Sequence, residues 1–241
     1  MDLVQLLGFG DHGWGRSLLE AAGMTLLLTA VALLIGAVTG GLVAMAKLSS
    51  LRALRWLGEL YSLLFRGIPE LLIIYLFYFG GASMVSAVAY WFGGSGGYID
   101  VPPFAIGALA VGLISGSYQA EVYRGAYLAV PKGELEAAAA IGMTPALRLR
   151  RVLIPQVLRI ALPGLGNVWQ MSLKDSALIS VIGLVELMRA SQVAAGSTRQ
   201  YFTFYIVGGL GYLVLTWVSG RFFAAAEARV RRSRRANPMH S

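Results

Sequence analysis

Five apolar stretches of this chain read as membrane spans, and they limit the fold before any motif is considered. They run about Leu18 to Ala46, Leu57 to Gly80, Phe104 to Ala126, Val157 to Leu187 and Tyr201 to Phe223. Each approaches or exceeds the roughly 18 to 20 residues that a helix needs to cross a bilayer. Composition agrees: 57% of residues are hydrophobic and 13% charged, against about a quarter charged in a soluble domain. The expected architecture is all-α, an integral membrane bundle of five transmembrane helices forming a single domain over residues 1–241.

Basic residues orient the bundle, because cytoplasmic loops carry the excess of lysine and arginine. One set of loops holds Lys47, Arg52, Arg55, Lys132, Arg148, Arg150, Arg151, Arg229, Arg231, Arg232, Arg234 and Arg235. The other holds Arg16, Arg189 and Arg199, so the bias is twelve to three. The N-terminus is expected outside and the C-terminus in the cytoplasm. The first basic residue is Arg16, so no cleavable signal peptide is expected and the first span serves as the insertion signal. The net charge of +8 is therefore a topology signal. The arginine-rich tail is expected against anionic membrane lipid. No aromatic residues are interleaved with its arginines, which argues against nucleic acid. With no cysteine and two histidines, His12 and His240, near the ends, no metal site is expected.

One cytoplasmic segment, 131–156, is too charged for a span. Pro131-Lys132-Gly133 makes a turn. Glu134 and Glu136 lie in a first helical turn, where carboxylates favour the N-terminus, and Ala137 to Ala140 are strong helix formers. Gly142 ends that helix in a left-handed conformation. Thr144 caps a second helix and Pro145 starts it. Pro155 is expected to stop or kink it. A short helix with a bare alanine face buries little area but lets its backbone enter a groove, so it reads as a docking knob or as an interfacial loop helix.

Glu136-Ala137-Ala138, Gly142 six residues after the glutamate, and Val152-Leu153-Ile154-Pro155 resemble the EAA motif of bacterial ABC importer permeases. Val152 and Ile154 stand where Ile and Leu are commonest. FRGIPELLIIYLFYFG, SGSYQAEVYRGAYLAVPKGELEAAAAIG and LPGLGNVWQMSLKDSALISVIGL resemble the permeases for histidine, glutamine, arginine and opines, over roughly Leu18 to Glu227. The resemblance implies a type I importer permease. Its EAA loop would be the coupling helix, with Glu136, Ala137, Ala138, Gly142 and Pro155 docking on a cytoplasmic ATPase. It implies two ATPase subunits, a second permease that is homologous or identical, and an extracytoplasmic binding protein, all at the bacterial inner membrane. The chain has no GxxxxGK[ST], so ATP and Mg are expected on the partner ATPase and no cofactor in this chain. Catalytic residues are not expected either.

Ionisable residues inside spans are functional candidates by default. Arg66 and Glu70 are four apart and are expected to pair on one helix face, around a kink at Gly67 and Pro69 that serves either structure or solute contact. Ser117, Glu121 and Arg124 share a face. If Arg124 snorkels to the cytoplasmic interface, Glu121 stays free for the pathway. Lys174 and Asp175 are adjacent and point about 100° apart, as successive helical residues do, so one faces the path or the helix breaks there. The resemblance places Glu121, Lys174 and Asp175 at the substrate site. An excess carboxylate left by these pairings implies a solute with a cationic group. GGSGG at Gly93 to Gly97 reads as an external linker or a binding-protein contact. Gly36 and Gly40 have the GxxxG spacing that lets another helix come close. The competing readings are a secondary transporter or channel for a small charged solute, and an intramembrane hydrolase, which lacks HExxH and GxSxG.

Overall fold

The computed structural model describes residues 3–10, 13–81 and 102–235. The Gly93–Gly97 loop, both histidines and the arginine side chains from Arg231 onward lie outside the described residues. The elements are α1 (Leu3–Leu6), α2 (Gly15–Leu48), α3 (Arg52–Gly67), α4 (Glu70–Tyr75), α5 (Pro103–Leu128), α6 (Lys132–Ala140), α7 (Pro145–Arg148), α8 (Ile154–Asp175), α9 (Leu187–Thr198) and α10 (Tyr201–Arg235). A wide π turn, Leu76–Gly80, extends α4. A second, Leu149–Leu153, joins α7 to α8. A 3-10 segment, Ser176–Ile182, follows α8. Among the described residues there is no strand.

Among the described residues, four helical rods are long and apolar enough to cross a membrane: Gly15–Leu48, Pro103–Leu128, Pro145–Ile182 and Tyr201–Val230. A fifth span arises if α3 and the helix from Glu70 to Gly80 count as one, bent by 104°. Ile68 is extended at the break, with φ −95° and ψ 138°. Gly67 and Pro69 both disfavour a helix interior there.

Two expectations are corrected. Pro155 does not stop the second helix of the 131–156 segment, which runs on through a π turn into the fourth span. A proline ring clashes with the carbonyl four residues back, here that of Arg151. That carbonyl lies in the π turn Leu149–Leu153, whose wider winding leaves room for the ring. At its other end the fourth span stops at Ile182, not Leu187. Gly183 takes φ +95°, and Leu187 begins the separate helix α9. Glu186 caps α9, its carboxylate accepting from the backbone N–H of Met188 at 2.9 Å and of Arg189 at 2.8 Å. Tyr212 of α10 donates to the same carboxylate at 2.5 Å. Leu187 N–H donates to Thr25 of α2 at 3.1 Å. These bonds tie three helices together at one end of the bundle, over a core of Leu6, Leu18, Ala190 and Phe204.

The turn between α6 and α7 follows the sequence. Gly142 has φ +83°, and Thr144 Oγ1 accepts from Leu147 N–H at 3.4 Å.

The centre of the bundle is the contact of α2 with α5, the most buried of the spans. Gly36 and Gly40 form the α2 side of the seam. A Cβ at Gly40 would lie 2.7 Å from the Gly116 carbonyl oxygen and 2.9 Å from Gln119 Cβ, whereas Gly41 has nothing within 4 Å. Gln119, fully buried in this seam, donates to the Leu33 carbonyl at 3.1 Å and accepts from Tyr123 at 2.8 Å. We expect Gly40→Ala to destabilise the protein by about 1–3 kcal/mol through overpacking against rigid backbone, read as a lower thermal midpoint in detergent, with Gly41→Ala close to wild type. Equal midpoints for the two variants would contradict the seam.

Candidate functional site

The α3 segment RALRWLGELYSLLFRG places Glu59, Ser62 and Arg66 three, then four residues apart, on one face. That face meets α5 at Tyr118 and Glu121. Glu59, Ser62, Arg66, Tyr118 and Glu121 line a cavity of about 420 Å³.

Glu121 is the hub of the charges here. Its Oε2 accepts from Arg124 Nε at 3.1 Å. Its Oε1 accepts from Lys47 Nζ and lies 3.7 Å from the Arg66 guanidinium. Lys47 also donates to Glu59 Oε2 at 3.1 Å. Its side chain is only 1% exposed, and the absent side chain of Gly58 makes room for its stem, since a Cβ there would lie 2.8 Å from Lys47 Cγ. The Arg66 guanidinium sits 5.4 Å from the centroid of the Tyr118 ring.

This arrangement corrects three expectations. Arg66 pairs with Glu121 instead of Glu70, because the 104° bend removes Glu70 from the face of α3. Arg124 turns back along its own helix to Glu121 and does not leave it free. Ser117 is fully buried, and its hydroxyl donates to the Ile114 carbonyl at 2.7 Å, so it does not reach the cavity. Lys47 was missed as a site residue. Its signal was its place in the last turn of a span, where a lysine is ordinarily read as snorkelling to the interface.

The remaining carboxyls come together elsewhere. Glu70 starts α4 and Asp175 ends α8, where α4 packs against the 3-10 segment, so the two carboxyl charges act on one another, with the Lys174 charge also acting on Asp175. Lys174 itself is exposed and Asp175 half-buried. Tyr118 lies within the field of Glu70, Arg66 and Asp175 together. Among the described residues no group of acidic and histidine side chains could hold a metal.

On the 131–156 segment, Glu136, Ala137, Ala140 and Gly142 are exposed and Ile141 protrudes. Ala138 is buried against its own chain, which corrects its assignment to an outward docking face. Pro155 is half-buried. Gln156 of α8 donates to the Glu134 carboxylate of α6, joining the two ends of the segment.

Because Lys47 is buried, the two carboxylates it meets are unequal. Glu59 is largely exposed and Glu121 largely buried. Glu121→Gln is expected to cost about 1.5–3 kcal/mol, the range for losing a hydrogen bond to a charged group. Glu59→Gln is expected to cost under about 1 kcal/mol, as for exposed pairs. Thermal unfolding of the purified variants compares them, and an equal cost would remove Glu121 from the centre of the network.

Known proteins share this architecture. The permease protein OccQ of the octopine transport system of Rhizobium meliloti is 53% identical over 235 residues, 98% of this chain and 99% of that protein. HisQ, the permease protein of the histidine/lysine/arginine/ornithine transport system of Escherichia coli K12, is 38% identical over 90% of this chain and 95% of its own length. A crystal structure of an amino acid ABC transporter with histidines superposes with a TM-score of 0.74 at 33% identity, covering 90% of this chain and 95% of that one. The family model described as a binding-protein-dependent transport system inner membrane component matches residues 32–232. This chain belongs to that family of inner-membrane transport components, whose members here are permease subunits and not enzymes.

Proposed function

We propose that the chain is the transmembrane subunit of an ATP-driven importer that carries a polar solute with a cationic group into the cytoplasm. Arginine, histidine, lysine, ornithine and arginine-derived opines have the required chemistry. What supports this reading is the proximity of Glu70, at the start of α4, and Asp175, where α8 tightens into the 3-10 segment. Two carboxyls brought together inside a membrane call for a cation between them. Glu121 is committed to Lys47, Arg124 and Arg66, so the cationic end of the solute falls to Glu70 and Asp175, with Lys174 as a balancing charge. The names of the relatives, transporters of octopine and of basic amino acids, support the same class.

The rest of the proposed assembly is supported by membership of this family of transport components. Glu136, Ala137, Ala140 and Ile141 together with the Gly142 turn form the face that docks on a cytoplasmic ATPase, which binds the ATP and Mg. Pro155 holds the shape of the helix behind that face. A second permease, identical or homologous, closes the pathway. A binding protein delivers the solute from outside, on the side of the N-terminus, and the C-terminus lies in the cytoplasm.

Uptake into membrane vesicles tests the solute site. In the combined Glu70→Gln and Asp175→Asn variant, affinity for arginine is expected to fall about ten- to a hundredfold, the value of one lost charged hydrogen bond, with the assembled complex still recovered. Wild-type uptake of both arginine and histidine by that variant would defeat the assignment.

A further inference from the structure

Helix α10 joins the bundle along one side only. Gly208 and Gly211 meet Ser191 and Leu187 of α9, and Gly220 and Phe223 meet Gln170 and Gly166 of α8. Leu210, Val214 and Trp217 stand on another side and are exposed, Trp217 by 66%. They recur three or four residues apart, so they form one stripe. Arg221 continues that stripe one turn beyond Trp217.

Arg221 differs from the cations inside the bundle. Lys47, Arg66 and Arg124 each have a carboxylate within reach. Arg221 is exposed and, among the described residues, is paired with none. Its guanidinium carbon sits 5.8 Å from the centroid of the Trp217 ring. That contact holds the planar group against the helix and leaves its N–H edge for an anion that presents two oxygens. The next turn carries Ala224 and Ala225, both exposed. On its own helix, therefore, nothing larger than a methyl group stands on the far side of the guanidinium from Trp217.

Depth is an independent observation. Tyr201 and Tyr205, with ring centroids 6.5 Å apart, mark the opposite end of α10. At the rise of an α-helix, Arg221 lies about 30 Å along α10 from Tyr201, which is the thickness of the hydrocarbon layer of a bilayer. Tyrosine and tryptophan gather at the two edges of that layer. Trp217 thus falls at one edge, and Arg221 falls at the level of the lipid phosphates.

We propose that Trp217 and Arg221 form a site for an anionic phospholipid, in the leaflet at the C-terminal end of α10. The phosphate oxygens accept from the Arg221 guanidinium. The acyl chains lie along Leu210, Val214 and Trp217, and the headgroup beyond the phosphate rests over Ala224 and Ala225. The sign of the headgroup follows from the missing counter-ion. The ammonium of a zwitterionic headgroup sets a second cation beside Arg221, whereas an anionic headgroup brings none. The site differs from the diffuse attraction expected of the arginine-rich tail, because it needs both the guanidinium fork and the Trp217 ring. Gly220 and Phe223 flank Arg221 in sequence and pack on α8, so a lipid held here fixes the depth of α10 together with the helix that carries Asp175.

The test is a lipid titration of the purified permease–ATPase complex, followed by native mass spectrometry. The probes are dioleoyl phosphatidylglycerol and dioleoyl phosphatidylcholine, which share their acyl chains. Wild type is expected to bind the glycerol lipid about tenfold more tightly, the effect of one charged hydrogen bond. Arg221→Gln should remove that preference and leave the choline lipid unchanged. Arg221→Lys keeps the charge but loses the fork, and Trp217→Leu keeps both the charge and an apolar side chain, so each should lower the preference severalfold. Arg16→Gln, at the opposite end of the bundle, should leave it intact. Equal wild-type binding of the two lipids would overturn the site. A full preference in Arg221→Lys or Trp217→Leu would reduce it to diffuse attraction and also overturn it. Displacement of the glycerol lipid by an equal concentration of glycerol 3-phosphate would assign the arginine to a soluble phosphate instead. Loss of subunits from the complex in Arg221→Gln would show that this face is a subunit contact, and would equally defeat the proposal.

Discussion

A lysine buried inside a membrane bundle must be paired, and the rest of the pathway depends on how this chain pairs Lys47. An unmatched ammonium in an apolar interior costs several kcal/mol, on the order of the whole stability of a small domain. Glu121 and Glu59 answer it from two other helices. The hub therefore fixes α2, α3 and α5 relative to one another at the level of the cavity. It also decides which charges stay weakly engaged. With Glu121 committed, Arg66 keeps a 3.7 Å approach to it, and the carboxyl charges of Glu70 and Asp175 act on one another elsewhere.

The hub sits on a rigid support. The glycines of α2 let α5 approach to backbone contact, and Gln119 fills the seam with hydrogen bonds instead of a loose side chain. From this seam α5 leads to the cytoplasmic segment with only residues 129–131 between Leu128 and α6. On the far side, the rod from Pro145 to Ile182 leads back to Asp175. From Thr144 to Asp175 this is about 45 Å at the rise of an α-helix. The Gln156–Glu134 bond closes the segment on itself. A displacement of α6 is thus passed to the helix that carries Glu121 and to the helix that carries Asp175. In the proposed importer this gives a mechanical route from a closing ATPase to the charged interior of the bundle.

Much of this was legible in the sequence, for identifiable reasons. Length and hydropathy locate the long rods because the bilayer sets one scale for all of them. Gly142 and Thr144-Pro145 are readable because a left-handed turn and an N-cap each demand a narrow set of residues. What was not legible is mostly direction. RGIPE announces a break but not a 104° bend, and the side-chain pairing at Arg66 depends on that angle. Four successive alanines give a helix without saying which of them turns inward, so Ala138 was placed on the wrong face. Lys47 stands at a span end, where solvent is ordinarily within reach, and only the packing of α3 at Gly58 encloses it. The start of α9 was hidden because Ile182 to Leu187 continue the apolar character of the fourth span until the left-handed Gly183 is seen.

The central claim is that the charges within this bundle form a solute path driven through the cytoplasmic segment by ATP hydrolysis, not by an ion gradient. Proteoliposomes holding the permease–ATPase complex, with the binding protein outside and ATP supplied on the ATPase side, test it most directly. The account predicts accumulation of labelled arginine that requires ATP and persists when the proton gradient is dissipated. Accumulation that needs no ATP and vanishes with the proton gradient would contradict it.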